Sequence, residues 1–103
     1  MSNSATITDK ALPLPHPGEI LKTEFMDPMG ISGYALAKAI GVSRGRIAEI
    51  THGRQGISAA IALRLGRYFD VDPQWFMNMQ SRHDLRIAQD RVDVSGIIPR
   101  RAA

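Results

Sequence analysis

The stretch 43–54, SRGRIAEITHGR, concentrates side chains whose chemistry suits a nucleic acid. Arg44 is the best candidate for reading a base. A guanidinium offers two parallel N–H donors that match O6 and N7 of guanine in the major groove. Arg46 follows two residues later and can reach a base or a phosphate. Gly45 between them lacks a side chain, so a helix carrying it can approach a groove wall closely. Glu49 can accept from a cytosine amino group, or instead hold an ion pair or stay solvated. His52 falls toward the rim of the same face. Ser43 and the amides after it suit phosphate oxygens, and so does the helix start at Ser32. Arg54, just beyond, is placed to clamp a phosphate. The competing reading of each arginine is surface solubility.

Other chemistries find little support. The histidines, His16, His52 and His83, stand in separate segments, and none has a second ligand at i+3 or i+4 that makes a metal site. The chain has no cysteine, hence no disulfide, thiolate metal site or thiol nucleophile. Asp70 and Asp72 flank a turn and read as helix-end chemistry. The glycines do not form a phosphate-loop spacing. The expectation is therefore no catalytic residues, no metal and no cofactor. Trp75 and Phe76 fit core or dimer contacts, with Met77 as the exposed member; a ligand pocket or partner groove made with Met77 and Met79 is the alternative.

The elements that must position Arg44 and its neighbours lie within 31–51, ISGYALAKAIGVSRGRIAEIT. Ala37 is small enough for two helices to cross closely. Gly41, four residues on, suits a left-handed turn. Ile47, six residues later, can fill the pocket between the helices. With Ser43 as an N-cap, this ordered set is the steric skeleton of a helix-turn-helix. An ordinary αα-hairpin is the plainer alternative. On a helix over 44–52, inward-facing Ile47 and Ile50 leave Arg44, Gly45, Ala48, Glu49 and His52 outside or at the rim.

The remaining chain predicts an all-α unit of five helices. Residues 1–15 read as a flexible lead-in, polar at first and then proline-rich, with Leu12 or Leu14 available to pack on the domain. Helix 1 is expected over 17–26, with Pro17 at its first position and Ile20, Leu21 and Phe25 as its apolar stripe. Asp27-Pro28-Met29-Gly30 is expected to break it. Helix 2 follows Ser32 to about residue 40. Helix 3 spans 44–52, closed by Gly53. Helix 4 spans 58–69, with Ile61, Ala62, Leu65, Tyr68 and Phe69 on one side. Helix 5 begins at Asp72-Pro73 and runs to about residue 90, carrying Leu85 and Ala88 in its more polar half. In 91–103, Val92, Val94 and Ile98 alternate loosely. That pattern predicts either one β-strand used between subunits in dimerisation or a tail, because a lone strand cannot satisfy its own ladder.

The 103 residues fit a single domain over 16–90 with flanking segments, and the net charge is +3. Placement says more than the total: five arginines stand against Glu49 alone between Gly41 and Phe69. Such a local basic bias is the electrostatic footprint of a nucleic-acid partner. No apolar run approaches the roughly 18 residues of a membrane span, and the N-terminus lacks a signal-peptide pattern. The expectation is a soluble cytoplasmic chain with no membrane partner.

Four blocks carry a family resemblance: HPGEIL at 16–21, ALAKAIGVS at 35–43, RIAEITHGRQGIS at 46–58 and ALRLGRYFDVDPQWFMNMQSRHDL at 62–85. In these the chain resembles HigA/VapI-type antitoxins of the XRE, lambda-repressor-like, helix-turn-helix family. The resemblance spans about 15–88. It implies a five-helix DNA-binding domain that is a homodimer and acts as an antitoxin. Such proteins bind and silence a RelE-like mRNA endonuclease toxin and repress their own operon at a double-stranded promoter operator. The chain departs from the pattern at Gly33, where such proteins often place a Gln that can hold a DNA phosphate. Two other readings stay open: a stand-alone XRE repressor without a toxin, and a protein-interaction module that does not bind DNA.

Overall fold

A computed structural model describes residues 15–101. The expected lead-in, including Leu12 and Leu14, lies almost wholly outside the described residues. Five helical rods follow in order. The first, α1, is continuous over 17–29 but changes register twice: α-helical at Pro17–Ile20, π-helical at Leu21–Met26 and α-helical again at Asp27–Met29. Next come α2 (Gly33–Ile40), α3 (Arg44–Thr51), α4 (Ala59–Phe69) and α5 (Pro73–Arg91).

Each later helix begins on a short polar cap. Ser32 Oγ accepts from the Ala35 N–H at 3.0 Å, Ser43 Oγ from Arg46 at 3.1 Å and Ser58 Oγ from Ile61 at 3.2 Å. Asp72 accepts from the Gln74 N–H at 2.9 Å, with Pro73 occupying the first position, where no N–H is needed. Left-handed residues end three rods: Gly30 after α1, Gly41 after α2 and Asp70 after α4.

The core gathers Leu21 of α1, Leu36 of α2, Ile47 and Ile50 of α3, Ile57 of the following loop, Leu65 of α4 and Phe76 of α5, all fully buried. The α4–α5 corner is tight because Gly66 sits under the Val71 carbonyl; a Cβ there would stand 2.6 Å from that oxygen.

Three sequence expectations change. Helix 1 does not break at Asp27. Its backbone widens instead, and the Asp27 N–H reaches the Lys22 carbonyl five residues back. A π turn ahead of Pro28 gives room to a residue that lacks an N–H and would otherwise crowd the preceding turn. The rod then ends at Gly30. Next, Met77, the expected exposed member, packs against the core, while Trp75 is 44% exposed, a place that suits a dimer contact but not a buried core residue. Tyr68 and Leu85 also stand exposed. Finally, there is no strand among the described residues. Residues 92–101 run exposed beyond α5, with one turn closed by the Ile97 N–H on the Val94 carbonyl at 2.9 Å. Within one chain Val92, Val94 and Ile98 have no neighbouring strand to pair with, which is the reason a lone strand does not form.

Candidate nucleic-acid interface

The α2–turn–α3 unit is held from three sides. The Gly41 and Val42 N–H groups both donate to the Ala37 carbonyl, at 2.9 and 3.0 Å, and Gly41 takes φ +75°. Arg64 of α4 then reaches over the end of α2. Its Nη1 donates to the Ile40 carbonyl at 2.6 Å and to the Gly41 carbonyl at 3.4 Å. These carbonyls have no partner within α2, and a cation there also meets the negative end of the helix dipole. Ala37, Ile47 and Ile50 are buried as the crossing requires.

The far end of α3 is fixed by α1. His16 Nδ1 accepts from the Gly18 N–H at 2.9 Å and so caps α1, while Pro17 fills the first position. Gly18 presses against the Ile50 carbonyl with no space for a Cβ. The His16 ring packs edge-on against His83 with centroids 4.9 Å apart and lies beside Gly53, where a Cβ would stand 3.5 Å from it. Burial holds its imidazole below the ordinary pKa of 6.5, and His83 pushes the same way, against the opposing pull of Asp84 and Glu19. The loop after α3 is pinned by Gln80, whose Oε1 accepts from the Ile57 N–H at 2.7 Å while its Nε2 donates to Asp84 at 2.9 Å.

Held in this way, α3 presents its first turn to solvent. Ser43, Arg44 and Gly45 are all exposed, and Gly45 faces open space, with the Ser43 hydroxyl its nearest neighbour. Ser43 Oγ and Ser32 Oγ accept from their own helices, which leaves each hydroxyl proton free to donate outward. The Arg44 guanidinium carbon lies 5.6 Å from the centre of the Tyr34 ring. That contact brings the first turns of α2 and α3 together on one surface.

The other expected residues are placed differently. Arg46 turns back across the unit toward Ser58, with Nη2 3.4 Å from Ser58 Oγ, and its Nε is buried without a hydrogen-bond partner. Glu49 and Arg54 form an ion pair at 2.9 Å, the alternative that the sequence left open for Glu49. Both members are partly exposed, so the pair is worth at most about 1 kcal/mol. His52 lies against the end of α3, its Nδ1 2.7 Å from the Ala48 carbonyl. Sequence reasoning did not single out Tyr34, Gly18 or Gln80, and it counted Arg64 only as charge.

Among the described residues no three histidine, cysteine, aspartate or glutamate side chains cluster as a metal site, and no helix is long and apolar enough to cross a membrane.

Comparison with known proteins agrees with this geometry. The helix-turn-helix family profile matches residues 24–76. Virulence-associated protein I of Dichelobacter nodosus is 52% identical over 89 residues, 85% of this chain and 82% of that protein. Antitoxin HigA-1 of Vibrio cholerae is 36% identical over 74 residues, 72% of this chain and 70% of that protein. Among solved structures, Pseudomonas aeruginosa antitoxin HigA with the higBA promoter superposes with a TM-score of 0.74 at 41% identity, covering 82% of this chain and 99% of that one. A crossing with Ala37 and Ile47 buried and Gly41 left-handed between them, an exposed first turn on α3 and this degree of likeness agree, and the chain belongs to the XRE-type helix-turn-helix family, in its HigA/VapI-like branch.

Proposed function

We propose that the chain is a sequence-specific DNA-binding antitoxin. As a homodimer it represses its own operon by binding a promoter operator, and it neutralises a RelE-like mRNA endonuclease toxin by direct binding. The observation that carries the DNA-binding part is the first turn of α3: Ser43, Arg44 and Gly45 stand exposed while Ile47 and Ile50 are buried behind them. A recognition helix reads bases with its N-terminal residues. Arg44 addresses guanine through its in-plane N–H pair. Ser32, Ser43 and the helix-start amides hold phosphates. Arg54 clamps a backbone phosphate once it leaves Glu49. His52 lies at the rim, and Arg46 acts from its place beside Ser58 by supporting the loop that carries Arg54. The antitoxin part is supported by kinship to proteins that carry that name, HigA-1 and the promoter-bound HigA.

The test is a mobility-shift titration on the promoter upstream of the chain's own gene, across salt, with Arg44→Ala alongside. The variant is expected to lose about 1–3 kcal/mol of operator affinity and its preference at one base pair. Unchanged affinity and preference remove Arg44 as a reader, and no shift at any salt rejects the DNA-binding reading. Footprinting is expected to reveal two half-sites about one helical turn or a multiple apart; one unpaired half-site rejects the dimer. Co-expression with the product of a small adjacent reading frame is expected to give a co-purifying complex and relief of growth arrest. Failure of both leaves a stand-alone repressor.

A further inference from the structure

The side chains of Tyr34 and Arg44 belong to different helices, and both are exposed. Tyr34 is the second residue of α2 and 57% exposed, so burial does not explain its position. Gly33 ahead of it has no side chain. A Cβ at Gly33 would meet Ile47 Cγ2 at an ordinary 3.7 Å, so space alone does not demand glycine there. The result is that Tyr34 is the first large side chain that α2 offers to the start of α3, and its ring lies 5.6 Å from the Arg44 guanidinium.

We propose that Tyr34 is a specificity-determining positioning residue: its ring holds the Arg44 guanidinium by one face so that the N–H edge is presented to a base. This rests on Arg44 as the base reader. A guanidinium can be held by its face and still offer in-plane donors, because the cation–π contact uses the flat side and the bidentate hydrogen bonds use the rim. A free arginine side chain gives up rotamer entropy when it docks. A ring that restricts it beforehand lowers that cost at the moment of binding. The same restriction penalises a wrong base, since the fork can no longer swing to a phosphate or a neighbouring acceptor. Tyr34 thereby acts on base choice without touching the base.

The experiment uses the full chain and its own promoter duplex, with Tyr34→Ala, Tyr34→Phe, Arg44→Ala and the Tyr34→Ala/Arg44→Ala double variant. Operator affinity is measured together with base preference at every position of the half-site, and nuclear magnetic resonance follows the Arg44 side-chain protons in the free protein. Tyr34→Ala is expected to weaken operator binding about two- to five-fold, the range of an exposed cation–π contact. It is expected to relax preference at the same base pair as Arg44→Ala, to add nothing in the double variant and to abolish the ring-current shift on Arg44. Tyr34→Phe keeps the ring face and is expected to retain affinity, preference and the shift. A Tyr34→Ala loss that is equal on all sequences overturns the proposal in favour of a phosphate contact by the phenol, and so does a Tyr34→Phe variant that behaves like alanine. Full base preference in Tyr34→Ala while Arg44→Ala relaxes it overturns the proposal and leaves Arg44 as reader. No effect of Arg44→Ala removes both.

Discussion

Gly18 lies so close to the carbonyl oxygen of Ile50 that no Cβ fits between α1 and the end of α3. The HPGEIL block thus has a physical meaning. His16 caps α1, Pro17 starts it without a wasted N–H, and Gly18 lets it rest directly on the backbone of α3. The rod that stands outside the helix-turn-helix sets the depth at which α3 sits.

Gly18→Ala is therefore expected to be severe. The new methyl meets the backbone of buried Ile50, and neither partner can rotate away. Overpacking of this kind costs about 3 kcal/mol or more. For a domain of this size that corresponds to a fall of about 10 °C or more in melting temperature. A melting temperature within a few degrees of the parent would mean that α1 slides freely along α3.

Arg64→Ala removes the side chain that covers the end of α2. The Ile40 and Gly41 carbonyls then depend on water, and the expected loss is about 1 kcal/mol, seen as a lower denaturation midpoint at an unchanged slope. Arg64→Lys keeps the charge at the helix end but not the forked geometry, and it should recover part of the loss. Full recovery by lysine would reduce the role of Arg64 to the helix dipole alone.

These two positions mark the limit of what the sequence makes legible. Caps are local: Ser32, Ser43, Ser58 and Asp72 each bond an N–H two or three residues on, so residue type and spacing suffice to find them. The Ala37, Gly41 and Ile47 crossing is nearly as local. The rest depends on distance through space. Arg64 reaches Ile40 across 24 residues, Gln80 reaches Ile57 across 23 and Arg46 reaches Ser58 across 12, and no periodicity records such pairings. The phase of α5 was hidden for a related reason. Its buried residues are Phe76 and Gln80, so a polar side chain occupies an inward position, and apolar counting turned the helix toward Trp75. Pro28 misled because a π turn lets the rod continue where proline ordinarily stops it. In the candidate interface, Arg44 and Ser43 were legible from position alone, whereas Tyr34 was visible only once α2 and α3 had been brought together.

His16 gives stability a pH dependence whose sign follows from its environment. Its folded pKa lies below 6.5 because of burial and then His83, so the unfolded chain holds that proton more tightly. The contribution is fully present above 6.5 and is lost as pH falls through the folded value. Protonation also places a hydrogen on Nδ1, which then can no longer accept from the Gly18 N–H. The groups facing the ring are Glu19 of α1, His83 and Asp84 of α5, and Gly53 of the loop. Thermal unfolding between about pH 8 and about pH 5 should show stability falling toward acid. His16→Asn keeps an acceptor for the cap and should flatten that fall. An equal fall in the variant would assign the dependence to other groups.

Glu49 is expected to restrain DNA binding. Its carboxylate holds Arg54 at 2.9 Å and sets a negative charge on the face that α3 turns outward. For Arg54 to reach a phosphate the pair must open, at a cost of at most about 1 kcal/mol, and the carboxylate then lies near the DNA backbone. Glu49→Gln removes both penalties. The expected result is tighter binding to the operator and to unrelated duplexes by a similar factor of a few-fold. The slope of log affinity against log salt should steepen by up to about 0.9, as one more cation becomes available to phosphate. Arg54→Ala should do the reverse, weakening all sequences alike and flattening the slope. The contrary outcome is specific: if Glu49→Gln loosens the operator and relaxes a single C·G pair, Glu49 reads a cytosine amino group, and its pairing with Arg54 belongs to the free protein alone.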